Sequence, residues 1–180
     1  MKTTSRVALG GMMGALSLVC LMLTLFPYAT YALPALAGVC LFPVVIECGK
    51  RYGLMVYAAT ALLAFLITPD MEAKILYVLF FGHYPIIKCV AESRRGRVAE
   101  WLIKLAVFNA AVVAAYAVLA QVGLSLDEFA IPGVSLPLQA VLGLFLLMGN
   151  GVFVLYDVAL TRVLPLYFRR FQPRLRKLFK

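Results

Sequence analysis

The chain has 180 residues, 64% of them hydrophobic and 14% charged, with a formal net charge of +9. Soluble domains run at roughly 45–50% apolar and 25% charged residues, so the composition argues against a water-soluble protein and for one all-α, membrane-embedded domain. The positive charge, which in a soluble chain would suggest nucleic acid, is read here as membrane orientation and contact with anionic lipids, with no nucleic-acid partner.

The first apolar run, residues 7–26, contains Ala8-Leu-Gly10-Gly11-Met-Met-Gly14-Ala15. Gly10/Gly14 and Gly11/Ala15 each set small residues one turn apart, so another helix can approach closely, either from a partner or from within the same bundle. The run is longer than the roughly 7–15 residues of a signal-peptide core, and it is expected as a retained first span. A loop with Pro27, Tyr28 and Tyr31 leads to the second run, residues 33–46, which holds Pro34 and Pro43. A straight helix needs about 20 residues to cross hydrocarbon, so this span is expected to be short.

The third run covers residues 52–68. Thr68-Pro69-Asp70 then reads as a helix start, with Thr68 as cap, Pro69 first in the helix, and Asp70 and Glu72 on the positive end of its dipole. The fourth run, residues 75–87, is again short and contains Phe80-Phe81-Gly82-His83-Tyr84-Pro85. Interrupted spans survive where freed backbone groups are buried or line a cavity, which makes them pointers to a polar site; a span that is tilted, kinked or extended by flanking polar residues is the other reading. The fifth run covers 101–124, and Ser125-Leu126-Asp127-Glu128 predicts a capped short helix before Ile131-Pro132-Gly133 turns the chain. The sixth run, 136–164, ends the transmembrane domain of residues 1–164, leaving 165–180 as a basic, aromatic cytoplasmic tail suited to an anionic leaflet.

When alternate connections are placed on the cytoplasmic side, every lysine and arginine of the 17 except Lys74 falls there. This bias predicts a six-transmembrane-helix bundle with both termini cytoplasmic. On that side Glu47 precedes Arg51, and Glu100 precedes Lys104, by the four residues that favour helix-surface ion pairs.

Phosphate-loop, HExxH and GxSxG patterns are missing from the sequence, so no catalytic residues and no cofactor are expected. Cys20, Cys40, Cys48 and Cys89 have neither zinc-ligand nor disulfide-framework spacing. Polar residues inside spans are the functional candidates, because each is costly without a partner. These are His83, which is the lone histidine, and the amides Asn109, Gln121, Gln139 and Asn150. Asp157 is expected to pair with Arg162 or Lys104. For a ligand, Tyr28 and Tyr31 after the first span and Asp70, Glu72, Lys74 and Tyr77 at the start of the fourth lie on one side of the membrane. Asp70, four residues before Lys74, is also a possible pair for it.

Taken over its whole length, the chain resembles the substrate-binding S components of energy-coupling factor (ECF) vitamin transporters. The size, six spans, internal termini, basic inner face and Gly11-Met-Met-Gly-Ala15 at the start of the first span carry the resemblance. It implies a non-enzymatic protein of the cytoplasmic membrane that binds a small water-soluble, vitamin-like nutrient. It also implies docking through Gly11 and Ala15 onto a transmembrane coupling subunit that works with two ATPase subunits. The residues alone leave two other readings open, a membrane assembly protein and a stand-alone ion-coupled carrier using His83 or Asp157.

Overall fold

The computed structural model describes residues 3–26, 29–93, 96–121 and 138–173, and every regular element among them is helical. In chain order these are α1 (Thr3–Met22), α2 (Ala32–Cys48), α3 (Lys50–Ile67), α4 (Met71–Leu76), α5 (Tyr84–Ala91), α6 (Arg97–Gln121) and α7 (Leu138–Leu166). A π-helical segment, Tyr77–Phe81, joins α4 towards α5, and another, Tyr167–Phe171, extends α7. Tyr28, Arg94, Arg95, the predicted helix start at 125–128, the turn at 131–133 and residues 174–180 lie outside the described residues.

Among the described residues, five stretches are long and apolar enough to cross a membrane: Thr3–Leu25, Lys50–Ile67, Met71–Ala91, Arg97–Leu119 and Gly143–Phe171. The chain is therefore a multi-pass membrane protein, helical throughout the regular elements of its described residues. Large apolar side chains cover the outside of the bundle, with Leu62 67%, Leu66 73%, Leu147 72% and Leu155 71% exposed. Hydrocarbon solvates such a surface, whereas in water it would be an aggregation liability. The second apolar helix, Ala32–Cys48, has 17 residues, about 26 Å at 1.5 Å per residue, as short as its sequence suggests.

Local chemistry explains where the helices stop. Gly49, at φ 91°, separates α2 from α3 and reverses the chain within one residue; only glycine occupies that region without strain. Thr68 is extended, and the cap of α4 is Asp70, whose carboxylate accepts from the Glu72 and Ala73 amides at 3.0 and 3.2 Å. The start therefore falls two residues later than Thr68-Pro69-Asp70 suggests, and Pro69 stays outside the helix. A proline disfavours helical geometry in the residue before it, which keeps Thr68 extended.

The fourth span takes the alternative of a run extended by its flanking polar residues. Met71–Ala91 forms a path of 21 residues, full length rather than short, because its polar members Glu72, Lys74 and Lys88 sit inside the helices and cut the apolar run without cutting the structure. The interruption near Gly82 is a widened turn. Pro85 has no N–H for the Phe81 carbonyl and its ring crowds that group; upstream, the Gly82 amide bonds back to Tyr77 at 2.8 Å. The Val78 carbonyl accepts from the Tyr57 hydroxyl at 2.6 Å, so this loosened backbone is satisfied from α3.

Two cores result. α1, α2 and α3 close around Leu21, Ala37, Leu41, Ala61, Ala64 and Tyr77. The second core is aromatic: Phe80 and Tyr84 pack with Phe153, and Phe108 stacks on Phe153 with centroids 4.7 Å apart. α7 runs for 29 residues, about 44 Å, and continues through Pro165 into its π segment. There the Tyr167 hydroxyl and the Gln172 amide donate to Glu47 at 3.4 and 2.6 Å, tying the first residues of the basic tail to the end of α2.

Candidate functional site

Three groups of polar residues and one open helix face are candidates. At the end of the bundle where α3 meets α4, the Tyr31 hydroxyl donates to Glu72 at 2.6 Å across 41 residues of sequence. Partial burial and the adjacent Glu72 carboxylate push the Tyr31 hydroxyl well above the usual tyrosine range. Asp70 is occupied as the cap, and the Lys74 ammonium lies 5.6 Å over the Phe65 ring. The structure thus brings Tyr31, Glu72, Asp70 and Lys74 to one end.

Tyr77 does not join them. It is fully buried, its hydroxyl accepting from Ser17 at 3.0 Å and meeting Thr60 Oγ1 at 2.9 Å. In that position it cross-links α1 and α3. His83 sits in the turn between the π segment and α5, 5.4 Å from the Tyr57 ring, with Nδ1 enclosed and unbonded among the described residues. Asn109 and Asn150 bond to each other twice at 3.0 Å, and each also donates to the carbonyl four residues earlier. Two of the four amide hydrogens clamp α6 to α7 and the other two bond within their own helices, leaving none for a ligand.

The third group was only partly visible in the sequence. Asp157 on α7 does meet Lys104, at 3.0 Å, but it also meets Lys88 at 2.7 Å and accepts from the Tyr84 hydroxyl at 2.6 Å. Lys88 contacts Glu92 at 2.6 Å and Thr161 at 2.8 Å; Lys104 contacts Glu100 at 2.7 Å and Glu92 at 3.1 Å. Both lysine side chains are 1% exposed. The signal in the sequence was two lysines within apolar helices, each with a glutamate four residues away.

The small residues of α1 divide by face. A Cβ on Gly10 would lie 2.9 Å from Val56, and one on Gly14 2.9 Å from Thr60, so these two glycines let α3 pack tightly. Gly11 has nothing within 4 Å of its Cβ position, and Ala15 beside it is exposed. Both line an apolar groove of about 520 Å³ between α1 and α3, with Met55, Val56, Ala59 and Leu63 on its other wall. In hydrocarbon, where no hydrophobic effect drives helices together, close approach over small residues is the main means of association. No family model, curated protein or solved structure matches the chain.

Proposed function

We propose that the protein is the membrane substrate-binding component of an ECF-type importer, capturing a small vitamin-like nutrient outside and delivering it through an ATPase-powered complex. The observation that carries this reading is the division of the α1 face. Gly10 and Gly14 are filled by α3, while Gly11 and Ala15 stand open over an apolar groove. A six-span arrangement, with Ala32–Cys48 as the short span and the basic residues cytoplasmic, places the Tyr31–Glu72 pair and Lys74 on the outer surface. There a tyrosine, a carboxylate and the one outward cation offer stacking and charge to a small polar ligand. In this reading the partners are a transmembrane coupling subunit, two ATPase subunits and anionic lipids at the basic face, and the protein is not itself an enzyme.

The test uses Gly11→Leu and Ala15→Leu. Each is expected to reduce co-purification of the coupling subunit by about tenfold, equivalent to roughly 1.4 kcal/mol, with the melting temperature of the isolated protein unchanged. Gly14→Leu should instead lower that melting temperature, because its side chain would meet Thr60. Partner recovery unchanged by both Gly11→Leu and Ala15→Leu would remove the docking role. The buried Asp157 cluster, or His83 with its enclosed Nδ1, is where an ion-coupled carrier would bind its ion. Uptake that persists without ATP hydrolysis would favour that second reading.

A further inference from the structure

The cluster where α5, α6 and α7 meet contains three carboxylates and two ammonium groups. Asp157 is its one member from α7. Lys88 belongs to α5, which Glu92 caps, and Glu100 and Lys104 belong to α6. Buried ions hold an assembly together only while each charge keeps a partner, since removing a partner leaves a costly uncompensated charge.

In this arrangement the two lysines are insured against the loss of α7 and Asp157 is not. Lys88 has Glu92 four residues on at 2.6 Å, and Lys104 has Glu100 four residues back at 2.7 Å. Both glutamates are partly exposed, at 35% and 23% of their side chains. If α7 withdrew, each ammonium would keep a carboxylate through its own helix, already in contact, with no change of backbone. Every side-chain partner of Asp157 among the described residues comes from α5 or α6.

The rest of α7 fits the same pattern. α1 approaches α3 over glycines, backbone to side chain, whereas α7 is joined to α6 through polar and aromatic side chains: the Asn109–Asn150 pair, the Phe108–Phe153 stack and Asp157. We propose that the cluster is a latch, in which Asp157 holds α7 against α5 and α6 and from which α7 disengages while Lys88 and Lys104 stay paired with Glu92 and Glu100. The latch has two arrangements, and Asp157 decides between them.

Lysine reactivity reads the two arrangements directly. The full-length protein in lipid vesicles permeabilised to reagent is treated with a water-soluble amine-acylating ester, and acylation of Lys88 and Lys104 is measured by peptide mass spectrometry relative to Lys50. Asp157→Asn should raise acylation of both by about tenfold or more by populating the open arrangement. Glu100→Gln, which removes the carboxylate to which Lys104 retreats, should leave Lys104 at or below the parent rate. A static network predicts the opposite for Glu100→Gln, since any lost ion pair would loosen it. The latch is overturned if Asp157→Asn leaves the lysines protected, or if Glu100→Gln exposes Lys104 above the parent rate. Should Asp157→Asn fail to fold, the Glu100→Gln result decides alone.

Discussion

Lys104→Met should be among the most damaging single substitutions in the bundle, costing about 3–5 kcal/mol, the range for removing one partner of a buried ionic group. Methionine nearly matches the volume of lysine, so the loss is not one of packing. Lys104 alone contacts all three carboxylates of the cluster, at 2.7 to 3.1 Å. Without it, Lys88 must balance Asp157, Glu92 and Glu100, two of which are already in contact with it. The cation lying 5.3 Å over the Trp101 ring is lost as well. Thermal unfolding in mild detergent measures the effect, and a second substitution identifies its cause. Adding Asp157→Asn to Lys104→Met should recover part of the loss, because it removes one of the stranded negative charges. Simple addition of two destabilising effects would show that the groups are not coupled.

Gly38→Ala should cost about 1–3 kcal/mol, the range for forcing extra volume into a packed interior, despite the better helix propensity of alanine. Its Cβ would press against the Phe81 carbonyl oxygen, with the Phe81 carbonyl carbon 2.9 Å away and the Tyr156 hydroxyl 3.3 Å away. The obstacle is backbone, held by the widened turn before Pro85, so it cannot rotate aside. Gly11→Ala gives the opposite sign. With nothing within 4 Å, alanine should be neutral or stabilising by up to about 1 kcal/mol through helix propensity. The pair of melting temperatures separates glycines used for close approach from glycines left open.

These cases show why some of the structure was legible in the sequence and some was not. Apolar runs marked the helices because hydrocarbon demands long apolar segments. The brevity of α2 followed from the same count. The apolar run alone understated the fourth span, because Glu72, Lys74 and Lys88 break the hydropathy pattern yet extend one helical path. Hydropathy scores each residue without its partners, whereas Lys88 is held in the buried ion cluster, Glu72 by the Tyr31 hydroxyl and Lys74 over the Phe65 ring. The cap shifted from Thr68 to Asp70 because the carboxylate accepts two backbone amides while Pro69 holds Thr68 extended.

The candidate site was less legible, for a geometric reason. Gly10/Gly14 and Gly11/Ala15 have the same spacing, and only the position of α3 decides which pair is covered. Tyr77 was grouped with Lys74 by closeness in sequence, but three residues further along a helix it faces Ser17 and Thr60 instead. Tyr31 and Glu72 were both named for the same end, and their contact at 2.6 Å depends on α2 and α4 meeting there. Lys88 was grouped with the basic connection that follows it, whereas its partner Asp157 is 69 residues away.

The central claim, that this chain captures a small nutrient for an ATPase-powered importer, is tested most directly in its own membranes. The protein is purified in mild detergent and analysed intact by native mass spectrometry, with and without ATP. The account predicts an assembly containing the protein, one transmembrane coupling subunit and two ATPase subunits, with a small molecule retained by the parent protein. It also predicts loss of the three partners, but not of the small molecule, in the Gly11→Leu variant. A protein recovered with no ATPase subunits and no bound small molecule would contradict it.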